Sequence, residues 1–348
     1  MKIFYAVQAT GNGHISRAIE ILPILKKYGD VDVFLSGSNH SLKNDLPISY
    51  RSKGMSLFYD QHGSVDLWKT FTEINIKKIW TEAKHLPIEK YDLIINDFEC
   101  ITSLACKLKK IPSIHFGHQA SFKSSNVPRP LKKDIAGELV LKHYASGSKN
   151  IGLHFKSYDK DIYSPIIKST ILRAKPQDNG YITVYLNHYK DSLLIENFSK
   201  IKNFKFEIFS KEIHSPYQVN NIKVFPINKE LFNHSLINCH GLITGAGFET
   251  PAEALYMGKK LMVFPLKGQY EQQCNARALE EFNAVSLNGF DEEFPKHFEN
   301  WIAQNNICKL TINNTTEEII SKVVNNEIES KFDTTDFQEF ETSLEIAL

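Results

Sequence analysis

Short runs rich in β-branched and aromatic residues alternate along the chain with longer amphipathic stretches, the pattern of a parallel sheet flanked by helices. KIFYAVQ opens as a strand, a GNGH turn follows, and ISRAIEILPILKKYG carries apolar residues at helical spacing as far as Gly29. VDVFLSG, YDLIINDF and IPSIHFGH read as further strands, and the apolar run in YDLIINDF predicts burial on both faces. The pattern degrades between residues 145 and 180, where Pro176, Asp178, Asn179 and Gly180 mark a boundary. A second series then begins with YITVYLNHY, FKFEIFS and NIKVFPIN, followed by a strand–turn–helix–strand unit over 239–279. The expectation is an α/β chain of two doubly wound, Rossmann-like domains facing across a cleft, with ligand space at the carboxyl ends of both sheets. The expected divisions are 1–170 for the first domain, 171–180 for a linker and 181–320 for the second domain. Residues 321–348 read as a polar helical tail able to pack back on the first domain.

The 348 residues carry a formal net charge of +1 and a hydrophobic share of 42%, which suits a globular protein with a sizeable core. Nucleic acid is not an expected partner, because such binding shows a clear basic excess. Cys100, Cys106, Cys239, Cys274 and Cys308 are odd in number and scattered, which fits reduced thiols rather than a disulfide framework or zinc site. A strand beginning at Lys2 and the lack of any apolar run near 18 residues predict a cytoplasmic protein without a spanning segment.

The densest chemistry lies in 239–279. A strand through Leu242 and Ile243 runs into the turn Gly245, Ala246, Gly247, and a helix follows through Phe248, Glu249, Thr250 and Glu253. Such a turn leaves backbone N–H groups at a helix N-terminus, where phosphate binds well. Glu253 can meet sugar hydroxyls, and Glu271, Gln272 and Gln273 approach from the next loop. One site can thus hold the diphosphate and the sugars of a nucleotide-sugar. Asn187 and His188 leave the strand YITVYL and either reach a diphosphate or form a polar turn. Phe225, Pro226 and Ile227 end a strand, as core or as an apolar slot for a base.

In the first domain, Gly11, Asn12 and Gly13 form a tight turn before a helix, with His14 near its start. Ser16 stands where a dinucleotide fingerprint needs its third glycine, and Asp32 is at the wrong end of its strand for a ribose, so nicotinamide binding is disfavoured. At a helix N-terminus, where the dipole disfavours imidazolium, His14 suits a general base; the plainer reading is a packing role in the turn. Arg17 can pair with an acidic ligand group or with Glu20. His118 and Gln119 leave another strand and can contact acceptor or sugar, whereas His115 and His240 read as structural. Asp97 and Glu99 follow a buried strand, and a carboxylate there can act as base or orienting group.

No metal or cofactor is expected. Asp30–Asp32 and Asp159–Asp161 match a short DxD pattern but neither follows a strand end, and no HExxH or P-loop lysine occurs. Residues 122–142 mix basic side chains with Phe122, Val127, Leu131, Ile135, Leu139 and Val140. The part from Leu131 onward predicts a helix that either packs on its own domain or meets an anionic membrane face or lipid-linked acceptor.

GNGHISRA and the 239–279 segment together resemble nucleotide-sugar glycosyltransferases of the GT-B fold, most of all family 28, which includes the N-acetylglucosaminyltransferase that completes lipid II. The resemblance covers most of the chain in layout, with those two segments specific. It implies an inverting, metal-independent transfer from a nucleotide diphosphate sugar, a UDP-sugar by preference, to a lipid-linked, glycan or small-molecule acceptor. It implies that Glu253 binds the nucleotide ribose, that Glu271 to Gln273 touch the donor sugar, and that Ile227 sits by the base. His14 takes the acceptor proton, with Asp97 as an alternative base. The chain departs from the family pattern at ATGNGH, which has fewer glycines, at LNHY, which replaces a glycine loop, and at Gly245, where an arginine is usual. A UDP-sugar 2-epimerase of the same fold and a catalytically silent sugar-nucleotide binder are the alternatives.

Overall fold

The computed structural model describes residues 1–9, 11–37, 46–54, 76–306 and 308–325. The first half of the chain forms β1 (Lys2–Gln8), α1 (Asn12–Leu25), β2 (Asp30–Ser36), β3 (Ile48–Ser52), α2 (Ile76–His85), β4 (Leu93–Asp97), α3 (Cys100–Lys109), β5 (Ile114–Gly117), α4 (Ile135–His143), β6 (Lys149–Leu153) and β7 (Ile162–Tyr163). Its sheet is parallel, in the order β3-β2-β1-β4-β5-β6-β7. Beyond α5 (Ser169–Leu172) come β8 (Tyr181–Tyr185), α6 (Asp191–Phe198), β9 (Lys205–Ser210), β10 (Tyr217–Val219), β11 (Ile222–Pro226), α7 (Lys229–Asn238), β12 (Gly241–Gly245), α8 (Glu249–Tyr256), β13 (Lys260–Phe264), α9 (Tyr270–Leu279), β14 (Val285–Ser286), α10 (Phe294–Ala303) and α11 (Thr316–Val324). The second sheet runs β10-β11-β9-β8-β12-β13-β14, with only β10 antiparallel to its neighbour.

Both doubly wound sheets expected from the sequence are therefore present. Their central strands are buried on both faces, as β1 and β4 show, which is why they read as unbroken apolar runs. The strand order reverses between β1 and β4 in the first sheet and between β8 and β12 in the second. Loops leaving such neighbours diverge, and the crevice between them is where ligands bind.

One apolar cluster joins the halves: Ile15, Ala18 and Ile21 of α1 share it with Ala252 and Leu255 of α8 and with Ile319 and Ile320 of α11. A capping box of Thr315 and Glu318 starts α11. Residues 171–180 fall between β7 and β8, and most of the 321–348 tail lies outside the described residues. The basic-apolar helix starts at Ile135 rather than at Leu131, because Asp134 caps it by accepting from the N–H groups of Ala136 and Gly137.

Candidate active site

At the first switch point, His14 in the opening turn of α1 meets Asp97 at the end of β4, with Nδ1 2.8 Å from Oδ1. Arg17 grips the same carboxylate, its Nη2 at 2.7 Å from Oδ1 and 2.9 Å from Oδ2, and its Nε at 3.1 Å from Oδ2. Arg17 Nη1 crosses the cleft to Glu249 of α8. Burial pushes the Asp97 pKa up, but Arg17 and His14 outweigh it and bring it down to about 2. Asp97 is thus an ionised acceptor. Arg17 Nη2 also lies 2.9 Å from His14 Nδ1, but the carboxylate is the acceptor both groups need. With a proton on Nδ1 the ring serves that carboxylate and leaves the Nε2 lone pair for another partner.

The backbone around this pair is tightly specified. Phe98 holds a left-handed φ of +56° directly after Asp97, a strained choice for a bulky residue. Asn96 fixes that turn, donating to the Glu99 carbonyl at 2.9 Å and accepting from its N–H at 2.7 Å. Glu99 is spent on capping α3 through Ile101 and Thr102. Gly117 ends β5 with φ +140°, and a Cβ there would lie 2.7 Å from Asp97 Oδ1 and 3.2 Å from Arg17 Nη2. Only glycine leaves room for the network.

The second switch point carries the donor turn. Gly245, Gly247, Glu249 and Thr250 are partly exposed, and no side chain caps the N-terminus of α8. Ala246 and Phe248 instead turn inward and are buried. The end of β8 brings up Asn187 and His188. The His188 ring lies 4.0 Å, and Gln272 Oε1 3.6 Å, from where a Cβ on Gly245 would be. Buried Asn187 Oδ1 and His188 Nε2 have no hydrogen-bond partner among the described residues, and leaving such an atom unpaired costs about 1–3 kcal/mol. Burial, with Lys211 adding to it, lowers the His188 pKa to about 4, so its ring is neutral. Gln272 Oε1 accepts from the Leu266 N–H at 3.0 Å, and Ile227 is partly exposed just after β11.

The two faces touch closely. Gly11 is the extended N-cap of α1 and Asn12 its first residue; a Cβ on Gly13 would overlap the Glu249 carboxylate. Gln119 donates to Glu271 at 3.0 Å, Lys168 Nζ lies 3.1 Å from Glu253 Oε2, and Gln273 is partly exposed beside Gln272.

Several expectations change. Asp97 is no candidate for the base, because it is fully buried, ionised and bonded to Arg17; its geometry orients His14. Arg17 pairs with Asp97 and Glu249 and not with Glu20, which accepts from the Ser169 N–H at 3.0 Å. His118 does not face an open cleft. Its buried ring stacks on Phe248 with centroids 3.9 Å apart, and its nitrogens meet Leu153 O at 3.0 Å and Asn275 Oδ1 at 2.8 Å. It fastens the halves together.

Helix α4 packs on its own half, as one of its two expected roles has it, and reaches the other half as well. Leu141 joins Phe122, Val127 and Ile162 together with Tyr270 and Cys274 of α9, and Glu138 accepts from the Tyr270 hydroxyl at 2.8 Å. Leu131, Ile135 and Val140 stay outside, at 101%, 77% and 47% exposure. His115 and His240 pair with Asn150 and Asp178. Asp32 is taken by Ser49 and Tyr91, and Asp159 by Ser124. Among the described residues no group of His, Cys, Asp or Glu is placed to hold a metal ion. Lys168 and Asn275 escaped the sequence reading: one lies in a turn-rich stretch and the other is a buried polar residue on the inner face of a helix that also carries Glu271, Gln272, Gln273 and Arg277.

A model of the family described as Glycosyl transferase family 1 matches residues 1–302. The chain belongs to this family. MurG of Acinetobacter baumannii has a similar fold, with a TM-score of 0.53 at 14% identity over 94% of this chain and 95% of that one. UGT2 of Phytolacca americana, complexed with UDP-2fluoro-glucose and pterostilbene, gives 0.53 at 15% identity over 99% and 94%. UGT89C1 of Arabidopsis thaliana, complexed with UDP, gives 0.54 at 11% identity over 100% of both chains. Identities this low speak for the fold alone. No curated protein matches the chain in sequence. The family 1 chain is thus a glycosyltransferase of the GT-B fold, as the resemblance implies, and is similar in fold to MurG. Among its described residues no helix is long and apolar enough to cross a membrane.

Proposed function

We propose that this family 1 glycosyltransferase moves a sugar from a nucleotide diphosphate sugar, a UDP-sugar by preference, to an acceptor hydroxyl, with inversion and without a metal ion. The observation that carries the reading is the His14–Asp97 pair, with Nδ1 bonded to the carboxylate at 2.8 Å opposite an uncapped helix start. His14 Nε2 takes the proton of the acceptor hydroxyl as that oxygen attacks the anomeric carbon from the face opposite the diphosphate. The bond from that carbon to the diphosphate oxygen breaks, and its electrons leave with the phosphate. N–H groups at the start of α8 and the neutral His188 ring receive the charge. Glu253 takes the ribose hydroxyls, Ile227 borders the base, and Glu271 to Gln273 meet the donor sugar.

Thermal stabilisation by UDP, GDP, dTDP, their sugars and NAD(P) tests the donor site, since a ligand of the native state raises the midpoint by mass action. A shift with one nucleotide family, lost in Glu253→Ala, is the expected result. A shift with NAD(P) only, or with none of these ligands, would sink the reading.

Exposed Leu131, Ile135 and Val140 beside Lys132 and Lys133 further support contact with an anionic membrane surface, where a lipid-linked acceptor is reached. Sedimentation with phosphatidylglycerol vesicles is expected for the native chain and to be lost in Ile135→Glu. Equal sedimentation of the two proteins would remove the membrane contact.

A further inference from the structure

Glu253 sits in the second turn of α8 with 1% exposure, and its carboxylate is met by Lys168, 3.1 Å away, from the stretch that joins the two sheets. We propose that Lys168 is a positioning residue for the nucleotide, holding Glu253 as an anion that can accept both ribose hydroxyls. The proposal rests on the nucleotide-sugar reading above.

The surroundings of Glu253 otherwise oppose its charge. Burial raises its pKa, Lys168 counters that, and Glu249 and Glu20 raise it again. Glu249 is answered by Arg17, and Glu20 is held by the Ser169 N–H beside Lys168. Among the described residues Lys168 is thus the cation that answers Glu253. An ionised carboxylate has about four lone-pair sites and no proton, so it can take Lys168 and two neighbouring hydroxyls at once; a protonated one gives up part of that capacity. Because Lys168 lies on the crossing segment, the ribose site draws on the chain outside the second sheet, and the two halves must be docked for the nucleotide to be held.

UDP titrations of the whole chain between about pH 6 and about pH 8 test this, read as the ratio of variant to wild-type Kd so that titration of the diphosphate itself drops out. In Lys168→Met the ratio is expected to be about tenfold or more at the acid end, about 1.4 kcal/mol of binding. It should shrink as pH rises and Glu253 ionises. Lys168→Arg should stay near the wild type. The wild type should prefer UDP to 2′-deoxy-UDP, and Lys168→Met should lose that preference at the acid end. In Glu253→Gln, adding Lys168→Met should change nothing further.

A ratio that is constant with pH, or a Lys168→Met protein that binds UDP as well as the wild type throughout, would overturn the proposal. Absence of UDP binding to the wild type would instead overturn the nucleotide reading on which it rests. Carboxyl carbon NMR, with Glu253→Gln for assignment, then decides the remaining part. A Glu253 that keeps its charge to lower pH in the wild type than in Lys168→Met supports the role of Lys168, and the same titration in both overturns it.

Discussion

Replacing His14 by asparagine is expected to lower kcat/KM by about 10³-fold, within the usual range for loss of a general base, while leaving UDP affinity near that of the wild type. Asparagine keeps an N–H for the Asp97 carboxylate, which His14 now serves at 2.8 Å, so the neighbouring network survives. It cannot accept the acceptor's proton. Steady-state rates beside UDP titrations separate the two effects. A loss below about fivefold would assign the proton to another group.

The second large effect falls on stability. Arg17→Met removes a buried guanidinium from between Asp97 and Glu249 and leaves Asp97 ionised without its main countercharge. Breaking a buried pair in this way costs about 3–5 kcal/mol, to be read from urea unfolding. The pH dependence follows from the sign of the shift. In the wild type the Asp97 pKa is depressed to about 2, below its unfolded value of about 4. Its contribution to stability is therefore complete above that unfolded value and is lost as pH falls through the folded one. Without Arg17, burial dominates and raises the pKa, so Asp97 in the variant is relieved by protonation. The gap between variant and wild type should narrow on acidification. Adding Asp97→Asn to Arg17→Met removes the stranded charge and should return much of the stability, though not the activity. A pH-independent gap would mean that Arg17 acts through packing alone.

Much of the architecture is legible in the sequence, because buried central strands leave unbroken apolar runs and the turns after them carry glycine. His14, Gly245 to Gly247 and Glu253 stood out because each follows a strand that ends at a switch point. Roles that depend on distant partners were not legible. Arg17 meets Asp97 across 80 positions and Glu249 across 232, a separation that no periodicity records. His118 reads as a loop histidine able to contact acceptor or sugar, yet the second half of the molecule covers it through Phe248 and Asn275. A surface that one half of a chain buries against the other keeps the polar composition of an exposed loop. Lys168 was hidden for the same reason: its partner belongs to the opposite half.

Proton NMR of a UDP-sugar incubated with the enzyme and an added alcohol follows the transfer itself. The expected products are free UDP and a glycoside whose anomeric configuration is inverted relative to the donor, formed by the wild type and not by His14→Asn. Conversion of the donor to its 2-epimer with UDP still attached would contradict inverting transfer, as would a glycoside of retained configuration or a donor left unchanged.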